Sequence, residues 1–375
     1  MKQLWNNVLM RIAKKPSSIQ VLSSLLAIVF GMLFGLIVMI IVNPVDAFPG
    51  FFTILTGPFQ AGLRSFGNMF YRATPIIFTG LSVAFAFRTG LFNIGATGQF
   101  TIGAFIAVYI GVHWGFLGPL HWSVAILFAL IGGGLWGALP GILKAYRNVH
   151  EVVSSIMLNY VAMYLMILLV KETVFFAHHA RSLAIEPSAE LPKWGLDILF
   201  PGSSINIGIF IAILFVAAVH IILNKTTFGY ELQSVGFNKN AAKYAGMNEK
   251  RNIVLSMTIA GAIAGAGGAV FFLVGGRYLH VNAVLMQEGF TGIAVALLGL
   301  SAPIGVLLAG IFYGFLELGG LFLQGFDFTR EIINIIIAVI IYFSALSLFM
   351  QKFVASYISK KVKEDIEISE GVDMK

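Results

Sequence analysis

The chain has 375 residues, 58% of them hydrophobic and 11% charged, and a mean hydropathy of +0.89. A soluble domain carries roughly a quarter charged residues, so this composition excludes a water-soluble globular protein and reads as a polytopic membrane protein. The 24 Lys and Arg against 17 Asp and Glu read as basic loops on one side of a membrane rather than as a nucleic-acid surface, and the absence of cysteine excludes disulfides and thiolate chemistry.

Met1–Pro16 is polar and basic, and the apolar run behind it is long enough to span, so it reads as a retained segment rather than a cleaved signal. Apolar runs then predict about ten spans: Val21–Val42, Thr74–Phe87, Ala96–His113, Ser123–Lys144, Val153–Val170, Ile205–Leu223, Ile253–Gly275, Gly289–Leu300, Pro303–Leu321 and Ile332–Met350. The second and eighth fall short of the roughly 20 residues that a bilayer of about 30 Å requires. Either they begin deeper in their loops or their helices are broken, with breaks expected at Gly95, Gly98 and Ser301-Ala302-Pro303. The expected division is a cytoplasmic segment over residues 1–20, a transmembrane body over 21–350 and a cytoplasmic tail over 351–375.

With the N-terminus inside and ten spans, 17 of the 24 Lys and Arg fall in inside segments and seven outside. That imbalance predicts both termini in the cytoplasm. Two outside segments are long, Asn43–Ala73 and Lys171–Ser204. The second mixes His178, His179, Arg181, Glu186, Glu190 and Lys193, a charge set able to dock a soluble partner.

Between the sixth and seventh spans lies the one long polar, basic loop, Lys225–Arg251, with Lys225, Lys239, Lys243, Lys250 and Arg251. Asn238 can cap a short helix over Lys239–Ala245, and Gly246 can end it. A second short helix is expected over Tyr230–Val235, stopped by Gly236. Ala241, Ala242 and Ala245, with Tyr244 beside them, would give the first helix a small apolar face suited to a cleft on another protein; the alternative is a solvated connector.

Catalytic signatures are missing. No Gly precedes a Lys, so the phosphate-cradling Walker loop is absent, as are HExxH and GxSxG. No cofactor is expected in this chain, and His178-His179 reads as surface. Polar groups inside apolar runs are few and costly in lipid. For Asn93, Gln99 and Asn159 a pathway role and interhelical hydrogen bonding are both open; lining a pathway would mean that Leu at any of them lowers uptake at normal membrane levels. Glu151 reads as a capping or pairing residue, and Glu317, near the end of its span, as a further pathway candidate. Gly31/Gly35, Gly133/Gly137, Gly261/Gly265 and Gly310/Gly314 have the GxxxG spacing of close helix packing. Phe78–Ala84 and Phe290–Ala296 form a weak internal echo.

Four stretches carry a resemblance: GLFNIGATGQF (90–100), HEVVSSIMLNYVA (150–162), VGFNKNAAKYAGMNEKRNIVLSMTIAGAIAGAGGA (235–269) and GFTGIAVALLG (289–299). Their order and spacing resemble permease subunits of ABC importers, in the superfamily of ribose and branched-chain amino acid permeases, with wording most similar to the nucleoside branch. The likeness covers Thr74–Met350 and departs at Thr97, where many relatives hold an acid. It implies an all-α permease of about ten spans with both termini inside, multi-pass in the plasma membrane and surrounded by lipid. It implies a second permease, often a paralogue, cytoplasmic ABC ATPases that hydrolyse the ATP, and an extracellular binding lipoprotein that delivers nucleoside. Lys239, Ala241, Ala242, Tyr244, Ala245 and Gly246 would form the coupling segment seated in the ATPase. The alternatives are the same machine carrying a simple sugar or branched-chain amino acid, and a self-contained secondary transporter, which would need an ion-coupling acid such as Glu317.

Overall fold

The computed structural model describes residues 16–60 and 62–346 together with Lys352 and Ser356. The expected cytoplasmic segments, 1–20 and 351–375, therefore lie almost wholly outside the described residues, as does the end of the tenth run.

Fourteen helices account for about three quarters of the described residues. In order they are α1 (Pro16–Val42), α2 (Ala47–Gln60), α3 (Gly62–Arg88), α4 (Ala96–His113), α5 (His121–Arg147), α6 (Glu151–Thr173), α7 (Leu196–Leu199), α8 (Gly208–Lys225), α9 (Thr227–Phe237), α10 (Lys239–Tyr244), α11 (Glu249–Phe272), α12 (Gln287–Leu298), α13 (Pro303–Phe322) and α14 (Arg330–Ala345). Eight helices are long and apolar enough to cross a membrane. α12, with 12 residues, is shorter, so the eighth expected span is a partial helix; α14 covers 16 residues, and its run continues beyond the described residues.

The expected second span begins deeper in its loop, the first of the two alternatives. α3 begins at Gly62 and runs 27 residues, and the expected outside loop Asn43–Ala73 is mostly helix. Its early turns look polar in sequence, but Ser65 is buried and Arg72 is ion-paired, so the helix continues through them into the protein. From Ala73 to Ala86 every residue of α3 is buried, the signature of a helix enclosed on all sides. After α12, Leu300 and Ser301 both adopt positive φ, 54° and 53°, and Pro303 opens α13. The break expected at Ser301–Pro303 is thus a left-handed turn. Gly95 heads α4, and Gly98 lies in its first turn.

The chain divides into two compact units. In the first, comprising the described parts of Met1–Thr53 and Leu323–Lys375, α1 packs on α14. There, a Cβ on Gly35 would lie 2.6 Å from Ile340, and Phe34 stacks on Phe343 with ring centroids 3.9 Å apart.

The second unit, Ile54–Phe322, is built around a glycine seam. Gly133 and Gly137 of α5 meet Gly261 and Gly265 of α11 backbone to backbone; a Cβ on Gly133 would sit 2.5 Å from the Gly261 carbonyl oxygen. Gly103 of α4 meets Gly265 of α11 in the same way, and Gly268 of α11 meets the Phe100 backbone of α4, so three helices share one small-residue junction. In lipid, where apolar side chains gain nothing by leaving their surroundings, such close backbone approach drives association. Gly310 and Gly314 set α13 against Ile77, Met69 and Ala73 of α3. The two echo segments also pack on each other: Gly292 of α12 abuts Thr79 of α3, whose hydroxyl donates to the Glu288 carbonyl at 2.8 Å.

A two-stranded hairpin, Phe175–Phe176 with Arg181–Ser182, lies in the loop after α6, and Arg181 also bridges His280 in the loop after α11. Arg181 lies over the Tyr278 ring at 3.7 Å. Among the described residues no group of His, Cys or acids is placed to hold a metal ion.

Candidate functional site

Three sets of residues singled out by sequence occupy three different environments in the second unit.

The first is the basic loop, built from consecutive caps. The Thr226 hydroxyl accepts from Gly229 N at 3.0 Å and starts α9. Asn238 Oδ1 accepts from Ala241 N at 3.0 Å and starts α10, as its sequence position predicts. Gly246 turns the chain at φ 83°, and Asn248 then caps α11 through Arg251 N at 3.1 Å. α9 is longer than expected. Its Thr226 cap begins it three residues before Tyr230, and Gly236 lies inside its last turn rather than stopping it. Gly236 instead serves contact: a Cβ there would lie 2.6 Å from the Thr89 backbone, and one on Gly90 would lie 2.6 Å from Gly236 itself. The loop thereby presses directly on the turn between α3 and α4.

α9 and α10 enclose a groove of about 450 Å³, lined by Tyr230, Ser234, Phe237, Ala241, Ala245 and Met247 among others. All three alanines of the expected face line this groove, Ala242 buried and Ala241 and Ala245 exposed. Tyr244 and Phe237 stand 94% and 90% exposed. Lys239 lies 3.9 Å from Glu249. Phe237 and Tyr230 were not singled out in the sequence; the signal was there, since both fall on the polar loop where a large aromatic has no lipid to face.

The second set is the amide knot. Asn93 and Gln99 exchange hydrogen bonds at 2.8 and 3.0 Å, and Asn93 also donates to the Ser82 hydroxyl at 3.1 Å. Ser82 in turn donates to the Ala260 carbonyl at 2.6 Å. Asn159 of α6 accepts from Gly98 N at 2.8 Å and donates to the Ile94 carbonyl at 3.0 Å. All three amides are at most 2% exposed. Their capacity is spent inside the protein, tying the Gly90–Gly95 turn to α3, α6 and α11; of the two readings open in the sequence, this is the geometry of interhelical bonding. Glu151 pairs with Lys144 at 2.8 Å across the short α5–α6 turn. Thr97, the departure from the resemblance, lies against Gly289 at the start of α12.

The third set contains Glu317. It accepts from Arg72 of α3 at 2.5 Å, and both side chains are about one-third exposed at 33% and 28%. Sequence reasoning missed Arg72. Helical spacing puts Glu317 on the same face as Gly310 and Gly314, the face that meets α3.

Residues 65–345 match the family model described as branched-chain amino acid transport system / permease component. The guanosine ABC transporter permease protein NupP of Bacillus subtilis is 39% identical over 340 residues, 90% of this chain and 96% of that protein. The nucleoside ABC transporter permease protein NupB of Lactococcus lactis is 33% identical over 364 residues, 95% and 97% of the two chains. The glucose ABC transporter permease protein TsgB13 of Haloferax volcanii is 32% identical over 322 residues, 83% of each. In the first two organisms a second permease protein of the same description also matches, at 29% identity. No solved structure matches.

Proposed function

This chain belongs to the permease component family of branched-chain amino acid transport systems, and from that membership we propose that it moves nucleosides as one permease of an ATP-driven importer. It is a multi-pass membrane transport subunit, and the ATP chemistry belongs to a partner. The single observation that carries the nucleoside reading is the 33% identity to a nucleoside permease across 95% of this chain and 97% of that one. The glucose permease relative, 32% identical, supports the sugar reading in second place. The test is uptake of labelled nucleoside, glucose and leucine in cells with and without this chain. Nucleoside uptake that depends on the chain is expected; dependence of glucose or leucine uptake alone overturns the reading.

In this proposal α9 and α10 seat in a cytoplasmic ATPase, with Lys239, Ala241, Ala242, Tyr244, Ala245 and Gly246 as the coupling segment and the exposed Phe237 beside them. Movement of the ATPase reaches the bundle through the Gly236–Gly90 contact, which leaves no side chain to absorb it. A paralogous permease completes the pathway, as the paired matches within single organisms suggest, and a binding lipoprotein docks on the Lys171–Ser204 side. Glu317 belongs to the pathway, and the amides Asn93, Gln99 and Asn159 hold the α3–α4 turn that the coupling segment pushes.

The orientation proposed is loop inside and hairpin outside. The natural absence of cysteine allows single cysteines at positions 239 and 181 to be probed with an impermeant thiol reagent on whole cells. Labelling at 181 and not at 239 is expected; the reverse pattern inverts the topology.

A further inference from the structure

We propose that a half-buried strip of Arg72, Arg277, Glu288, Tyr313 and Glu317 is the permease's own recognition surface for the ribose and base of a nucleoside. The inference rests on the nucleoside reading above. Arg72, Arg277 and Glu317 lie toward the end of the second unit away from the α9–α10 loop, and Glu288 lies further in, beside Thr79 of α3. Arg277 follows the far end of α11, Glu288 opens α12, Tyr313 lies midway along α13 with Glu317 one turn further on, and Arg72 is 16 positions from the loop end of α3.

Arg72 and Glu317 are charges in lipid-crossing helices, which are expensive and by default functional, and Arg277 and Glu288 join them from the loop after α11 and the start of α12. Here they are two Arg and two Glu, so the strip carries no net charge and suits a neutral solute better than an ion. Its parts differ in how far they are occupied. Arg72 and Glu317 hold each other. The Arg277 guanidinium lies 3.6 Å over the Phe271 ring and donates to the Tyr71 hydroxyl at 2.5 Å, which leaves a flat cation fixed in place. Held between the Phe271 ring at 3.6 Å and the Tyr71 ring at 5.1 Å, this planar guanidinium is a flat cationic surface of the kind on which a nucleobase stacks. Glu288 is within electrostatic reach of Arg277 and Glu317, yet forms no ion pair within 4 Å among the described residues. Its carboxyl is engaged by its own backbone N–H, and the lone pairs left over can accept from the vicinal hydroxyls of a ribose. The Tyr313 hydroxyl bonds Thr291 on the same helix as Glu288, which fixes α12 against α13 at this point. The amide knot offers no comparable free acceptor, because its groups bond one another.

The test compares uptake of a labelled ribonucleoside and its 2′,3′-dideoxy counterpart by the complete importer, per molecule of permease in the membrane. The delivering protein is the same throughout, so any change in their ratio belongs to the permease. Glu288→Gln should lower ribonucleoside uptake about tenfold, spare the dideoxy compound, and leave ATPase co-purification intact. Glu288→Asp, which keeps the acceptor, should restore the wild-type ratio. Arg277→Lys, which keeps the charge but not the plane, should slow both compounds equally. A wild-type ratio in Glu288→Gln, whatever the absolute rate, overturns the inference while leaving the nucleoside reading standing. A wild-type importer that takes up neither compound overturns both.

Discussion

The amide knot and the α9–α10 loop are both polar interruptions of an apolar bundle, joined where Gly236 meets Gly90, and they are built on opposite terms. In the knot every named amide is buried and bonded within the chain. In the loop the backbone is capped at each helix start, yet Phe237 and Tyr244 are left almost wholly uncovered. A closed polar region stabilises the fold it is part of. An open one has its caps for shape and its side chains for something outside the chain. Polarity within an apolar sequence therefore does not mark function; unspent polarity or uncovered apolar surface does.

That contrast can be broken by substitution, ranked here by the expected loss of folded protein from the membrane. Gln99→Leu removes both hydrogen bonds that Asn93 shares with Gln99, leaving only its bond to Ser82, and leaves the Asn93 oxygen buried and unpaired, a cost of about 2–3 kcal/mol. Membrane levels should fall several-fold, read by immunoblot; normal levels with lost uptake would make the knot an open site. Gly236→Val tests the joint. Its side chain would overlap the Thr89 backbone, costing about 1–3 kcal/mol, so levels should drop less while uptake per molecule is lost. Ala245→Glu places a charge on the open groove, where water solvates it in the free chain. Levels should stay at wild type, and co-purification of the ATPase together with uptake should be abolished; a variant that retains both reduces the loop to a connector. Lys239→Ala removes a long contact to Glu249 on a half-exposed side chain, worth under about 0.5 kcal/mol, and should change uptake by less than about twofold.

Local chemistry was readable in advance. The Asn238 cap and the Gly246 turn follow from residue type at fixed offsets, and the paired GxxxG glycines announced close packing. Partners were not readable. α3 was cut short at Thr74 because Arg72 looks like a loop residue until Glu317, which lies 245 positions away, is brought beside it. Which alanine of the face is covered depends on which way a two-turn helix leans, and α10 is too short for periodicity to fix that. The amides of Asn93 and Gln99 lie only six positions apart, but nothing in a single sequence distinguishes two amides bonded to each other from two amides lining a channel. The echo of Phe78–Ala84 in Phe290–Ala296 was thin as a repeat and became informative only as a contact.

The seam between α5 and α11 carries a mechanical consequence. Helices that meet backbone to backbone have no layer of side chains to shear, so the pair behaves as one stiff beam. α11 has 24 residues, about 36 Å at 1.5 Å per residue. One end of the beam starts directly after the loop, where Lys250 of α11 lies 5.2 Å over the Tyr146 ring of α5; the other carries Phe271 with Arg277 upon it. A tilt of about 5° applied at the first end displaces the second by about 3 Å over that length, the thickness of one aromatic ring.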